Sequence, residues 1–227
     1  MAYGYEINEL AKGESWRMFR IIGEFVEGFD KLSGIEPAVT IYGSSRLPAD
    51  DELYTETEEI AYRLGQLGFS IVSGGGPGVM EAANKGAKRA GVASVGLNIS
   101  LPEEQVSNAY ATKSITFDHF FTRKVMLVKY AVAFVIMPGG LGTLDELTEV
   151  LTLMQTHKIK PFPVVLFRSE FWHGFLDWLR SSVLSRNYIS EDDFELLRVL
   201  DRTDEVVEAI RRWYVGHEVI GEKALHR

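Results

Sequence analysis

Glu146 lies in a segment that reads strand, glycine-rich turn, helix: Ala133-Phe-Val-Ile-Met137 runs into Pro138-Gly-Gly-Leu-Gly-Thr143, and the carboxylate follows within a helical turn. A second segment of the same design joins Phe69-Ser-Ile-Val-Ser73 to Gly74-Gly-Gly-Pro-Gly78. A turn without side chains lets a ligand reach the main chain, and the helix that follows adds unsatisfied N–H groups and the positive end of its dipole. Two such turns predict a phosphorylated ligand, with the backbone of Gly139, Gly140, Gly142 and Thr143 in one turn and of Gly74, Gly75 and Gly76 in the other offered to an anion. A carboxylate at the positive end of a helix is expected to stay ionised at neutral pH. There it could stabilise a cationic sugar or orient a water. Thr143-Leu-Asp-Glu146 also fits the capping box Ser/Thr-x-x-Glu, in which both residues only satisfy the start of the helix.

Arg123 and Lys124 follow Asp118-His-Phe-Phe-Thr122 near the start of another predicted helix, a poor place for cations, so something anionic is expected to compensate. Arg123 offers a planar fork for phosphate or ribose oxygens, and Lys124 is either a binding residue or a solvated neighbour. Arg46, in Gly43-Ser-Ser-Arg46, is a third basic candidate on the same sheet edge. Glu81, in the first turn after Gly78, is a second carboxylate near the sugar or a surface acid that balances the helix dipole.

Neither glycine turn is a dinucleotide fingerprint. The last glycine position holds Val79 in one and Asp145 in the other, and the next strand ends in Leu97-Asn98 where a ribose-binding acid would stand. No Gly-Lys-Ser/Thr of a P-loop occurs. Histidines 119, 157, 173, 217 and 226 have no metal-ligand spacing, and no Ser-His-Asp arrangement is visible. The sequence therefore predicts neither a metal nor a cofactor.

These residues need a scaffold, and the pattern supplies one. Strands are expected near 38–42, 69–73, 93–97, 114–117, 131–137 and 163–167, and helices near 51–67, 77–90, 119–130, 143–157, 170–182 and 203–214. Alternation of this kind means a Rossmann-like, doubly wound parallel sheet with helices on both faces, a single α/β domain over residues 1–227. Ligands bind such sheets beyond the carboxyl ends of the strands, where the glycine turns lie. A helical extension occupies about residues 1–36, where Trp16, Phe19, Ile22, Phe25, Val26 and Phe29 recur at helical spacing. That stripe must cover something apolar, either the chain's own sheet or a second subunit.

A net charge of −8, from 24 basic and 32 acidic residues, argues against a nucleic-acid or anionic-lipid surface. The chain has no cysteine, which suits the cytoplasm and removes thiolate chemistry. Charges interrupt Met1 to Lys31, so neither a signal-peptide core nor a membrane span fits there.

Gly74-Gly-Gly-Pro-Gly-Val-Met80, Arg123-Lys124 and Pro138-Gly-Gly-Leu-Gly-Thr-Leu-Asp-Glu146 together resemble the LOG (Lonely Guy) family, the cytokinin riboside 5′-monophosphate phosphoribohydrolases, many of which carry the label "lysine decarboxylase". The resemblance spans about residues 38–167. It implies hydrolysis of the N-glycosidic bond of a nucleoside 5′-monophosphate to free base and ribose 5-phosphate, with Arg123 and Glu146 the catalytic pair and no metal or cofactor. It also implies a homodimer, or a higher homo-oligomer, with active sites near the subunit interface. The extension and the residues Pro77 and Glu81 depart from the smallest members. A carrier that holds a nucleotide or pterin intact on the same turns is the alternative. A decarboxylase would need a Schiff-base lysine, for which Lys124 is the basic candidate.

Overall fold

The computed structural model describes residues 7–101 and 107–225, with side chains for 16–101 and 107–216. Its centre is a seven-stranded sheet: β1 (Ala38–Tyr42), β2 (Ser70–Ser73), β3 (Ser94–Ile99), β4 (Lys113–Phe117), β5 (Ala131–Ile136), β6 (Val164–Phe167) and β7 (Leu197–Leu200). Every adjacent pair is parallel, in the order β4-β3-β2-β1-β5-β6-β7. The order reverses between β1 and β5, which opens a crevice at the carboxyl ends of those strands. Both glycine turns leave the sheet beside it, one from β2 and one from β5.

Helices α1 (Ile7–Lys31), α2 (Glu52–Gln66), α3 (Val79–Ala90), α4 (Phe120–Lys129), α5 (Leu141–Gln155), α6 (Ser169–Trp178) and α7 (Thr203–Leu225) cover the sheet. β5 and β6 are apolar because they are covered on both sides: Phe134 and Ile136 belong to the core under α4 and α5, while Ala133 and Val135 belong to the one under α2, α3 and α7. Six strands and the main helices lie where the hydrophobic pattern places them. β7 is the element the pattern misses, because it is a short, half-exposed edge strand carrying Arg198.

Of the two readings of the extension, the stripe does not lie on the chain's own sheet. α1 docks through Ile21, Glu24, Phe25 and Gly28, and of the six apolar residues at helical spacing Phe25 packs on the core while Phe29 meets Lys129 of α4. Trp16, Phe19, Ile22, Val26 and Phe29 stay exposed. Among the described residues no helix is long and apolar enough to cross a membrane.

Candidate active site

The loop after β1 joins the two glycine turns. Ser44 N donates to Pro138 O at 3.1 Å, and Ser44 O accepts from Val79 N at 3.0 Å, so the β2 and β5 turns are tied to one peptide. A Cβ on Gly139 would stand 3.0 Å from Ser44 N and still nearer Thr143, which is why this approach needs glycine.

The two turns then diverge in character. Around β2 the polar groups are consumed internally: Gly75 N donates to Ser73 Oγ, Asn108 N donates to Gly75 O, and Asn108 Nδ2 donates to Gly76 O. Gly74, Gly75 and Gly76 are all buried, and Gly75 adopts φ +74°. The β5 turn stays open, with Gly140 and Gly142 exposed and Gly140 at the N-cap of α5 without any side-chain cap. The first N–H groups of α5 thus have no capping side chain and face an anion-binding position.

The capping-box expectation is overturned by this register. Because α5 begins at Leu141, Thr143 is inside the first turn and buried, and neither it nor Glu146 caps the helix. Glu146 turns instead toward α4, its side chain only 14% exposed, with Oε1 3.4 Å from Arg123 Nη1. Burial pushes its carboxyl up to about 7, against the pull of the Arg123 and Lys124 charges and with help from Asp145 and Glu149. The expectation of a fully ionised carboxylate gives way to one that titrates near neutrality, because desolvation outweighs the neighbouring cation.

Arg123 is buried as well, and its Nε donates to Leu97 O at the end of β3 at 2.6 Å. That bond leaves one edge of the fork facing Glu146 and the β2 turn. A Cβ on Gly74 would fall on the guanidinium and 2.6 Å from the Met80 sulfur. The guanidinium in the way is buried and held by Leu97 O, so Gly74→Ala must displace it and should lower both the melting temperature and the turnover, which thermal melts and steady-state rates would test together.

The three other charged candidates meet different neighbours. Lys124 Nζ is bound by Asp145 at 2.8 Å and Glu149 at 3.4 Å, tying α4 to α5. Burial acts to lower its pKa, but the two carboxylates outweigh it and hold the pKa above the usual lysine value. That is the wrong direction for a Schiff-base amine, so pyridoxal phosphate does not fit this residue. Glu81 accepts from the Tyr54 hydroxyl at 2.8 Å and so faces α2. Arg46 is exposed in its loop, its N–H bonded to Ser44 Oγ at 3.1 Å. His217 and His226 lie outside the described side chains, and among the described residues no cluster could hold a metal.

A family model described as "Possible lysine decarboxylase" matches residues 80–210. A Mycobacterium tuberculosis protein named cytokinin riboside 5′-monophosphate phosphoribohydrolase is 30% identical over 166 residues, covering 71% of this chain and 87% of the relative. The chain belongs to the LOG family. The rice LOG phosphoribohydrolase is 29% identical over 164 residues, covering 71% of this chain and 67% of its own length. Among solved structures, the molybdenum cofactor carrier protein of Chlamydomonas reinhardtii superposes with a TM-score of 0.57 at 19% identity, over 79% of this chain and 98% of that one. That likeness describes the sheet and its helices, whereas the family match at residues 80–210 spans Arg123 and the Pro138–Glu146 segment.

Proposed function

We propose that the chain is a nucleoside 5′-monophosphate phosphoribohydrolase that cleaves AMP or an N6-modified AMP to free base and ribose 5-phosphate in the cytoplasm. The observation that carries this reading is Glu146: a buried carboxylate 3.4 Å from a buried guanidinium, on the helix whose open first turn suits a phosphate. The names of the LOG relatives support it.

In the reaction the C1′–N bond breaks with its electron pair leaving on the base, and the ribose passes through an oxocarbenium-like state. Phosphate held at Gly139–Thr143 fixes the sugar, so binding energy remote from C1′ can be used to distort it. Glu146, as carboxylate, stabilises the cation and orients the water that adds to C1′. With a pKa of about 7 it is also basic enough to take that water's proton. Arg123 grips the nucleotide and holds part of the Glu146 population ionised. The base takes up a proton as it departs.

The test is a panel of AMP, CMP and N6-isopentenyl AMP, with adenosine as the control lacking phosphate, assayed for base release. Monophosphates should turn over and adenosine should not. Recovery of an intact nucleotide or pterin from the purified protein, with no turnover of any monophosphate, would favour the carrier reading instead.

We further propose a homodimer built on the exposed apolar strip of α1 and α4. Phe19, Ile22 and Val26 on α1 and Phe120, Phe121 and Val125 on α4 are each exposed, α1 packs against α4, and α4 bears Arg123. Ile22→Asp combined with Phe121→Asp should convert a dimer to a monomer in analytical ultracentrifugation. An unchanged mass would refute this interface.

A further inference from the structure

α1 meets the start of α4 through Glu24. Gly28 lies against Met126, where a Cβ would come within 2.8 Å of the methionine Cε, and this contact brings α1 close across α4. One turn before each of these residues stand Glu24 and Thr122. Glu24 Oε1 accepts from Asp118 N at 3.0 Å and lies 2.9 Å from His119 Nδ1, while the Thr122 hydroxyl donates to Oε2. His119, the N-cap residue of α4, makes no side-chain cap bond of its own. The carboxylate of α1 therefore holds the residues around the start of α4, through Asp118 N, the His119 ring and the Thr122 hydroxyl, and adds the negative charge that the positive end of α4 favours. Burial works to raise the Glu24 carboxyl, but these donors together hold it below the usual value.

We infer that Glu24 is a positioning residue for the Arg123–Glu146 pair, setting from α1 where the first turn of α4 stands and hence how far Arg123 reaches toward α5. Thr122 precedes Arg123 directly, so a shift in this turn is passed to the guanidinium. At 3.4 Å the Arg123–Glu146 contact is at the long edge of a hydrogen bond, and a small displacement breaks it. The rest of α4 is fixed independently, since Thr40 Oγ1 donates to Leu127 O at 2.8 Å. The loss of Glu24 should therefore act on the N-terminal turn rather than on the whole helix.

This inference rests on the proposed reading of Arg123 and Glu146, and its decisive readout does not need activity. Glu146 faces Arg123 and Lys124 from α4, Asp145 and Glu149 on its own helix, and Tyr42 from β1. Removing the Glu24 charge would by direct electrostatics lower the Glu146 midpoint. Losing the Arg123 contact would raise it. A ¹³C NMR titration of the Glu146 carboxyl in wild type, Glu24→Ala, Glu24→Gln and Thr122→Val separates the two by sign. The expected result is an upward shift of about half a unit or more in Glu24→Ala and Thr122→Val, with a smaller one in Glu24→Gln. In turnover assays kcat should fall by about tenfold in Glu24→Ala, with KM within about twofold of wild type. A midpoint that stays or falls in the folded variants overturns the inference, and Glu24→Gln and Thr122→Val supply the result if Glu24→Ala does not fold. An upward shift in a protein that hydrolyses no monophosphate would sustain the positioning role and reject the reaction.

Discussion

Glu146→Gln should lower kcat on the best monophosphate substrate by about 10²–10⁴-fold while leaving KM near its wild-type value, because it removes the charge and base without disturbing the phosphate site. Glutamine keeps the size of the side chain in a position where burial leaves little room for rearrangement. The same substitution should stabilise the protein at alkaline pH, and the sign follows from the titration. An unfolded glutamate ionises near 4.5 and Glu146 in the fold near 7, so the folded state holds the proton more tightly. Stability contributed by the protonated form is full below the lower value and is lost as pH rises toward the upper one. Glu146→Gln should therefore melt above wild type at pH 8 by up to roughly 3 kcal/mol of stability, with the difference shrinking toward pH 5. Slower turnover with higher stability would mark a charge kept for function against the preference of the fold. Unchanged turnover would remove Glu146 from the chemistry.

Arg123 should be nearly as sensitive, and for more than its charge. Nε is committed to Leu97 O, so the residue works as an anchored fork. Lysine keeps the charge but has neither the fork nor the reach to serve both Leu97 and Glu146. Arg123→Lys should lose about 10²-fold in kcat/KM and Arg123→Ala more. The pH profile gives a second signature. Wild-type kcat/KM should rise with pH through about 7 as Glu146 ionises and level off above it. Arg123 is the largest influence holding that value down, so Arg123→Ala should move the limb to higher pH. Steady-state rates from pH 5 to 9 would show it, and a limb that moves down or stays would contradict the pairing.

The scaffold was largely legible because parallel strands buried on both faces leave continuous apolar runs, and because helices that follow glycine turns announce their own N-termini. β5 is the clearest instance of the first and the start of α3 after Gly78 of the second. What local pattern could not supply was register and partnership. The capping-box reading of Thr143 and Glu146 failed by three residues, since the N-cap is Gly140 and α5 turns both side chains inward. Glu81 and Glu146 are both carboxylates just after a glycine turn, and the sequence left Glu81 either near the sugar or at the surface. Their difference lies in Tyr54, a residue of α2 that takes up Glu81. Arg46 matches Arg123 by residue type, and burial against Leu97 O and Gly74 is what separates them. The anion that the start of α4 needed was foreseen as a requirement, yet Glu24 comes from 94 residues away from the Asp118 amide it receives, a separation that periodicity does not bridge.

The proposed reaction stands or falls on a mass balance. Wild-type protein incubated with AMP and with N6-isopentenyl AMP at pH 8 should yield free base and ribose 5-phosphate in equal amounts, with no inorganic phosphate and no nucleoside, and Glu146→Gln should yield neither product at a comparable rate. Intact nucleotide at the end of the incubation, or nucleoside together with inorganic phosphate, would contradict it.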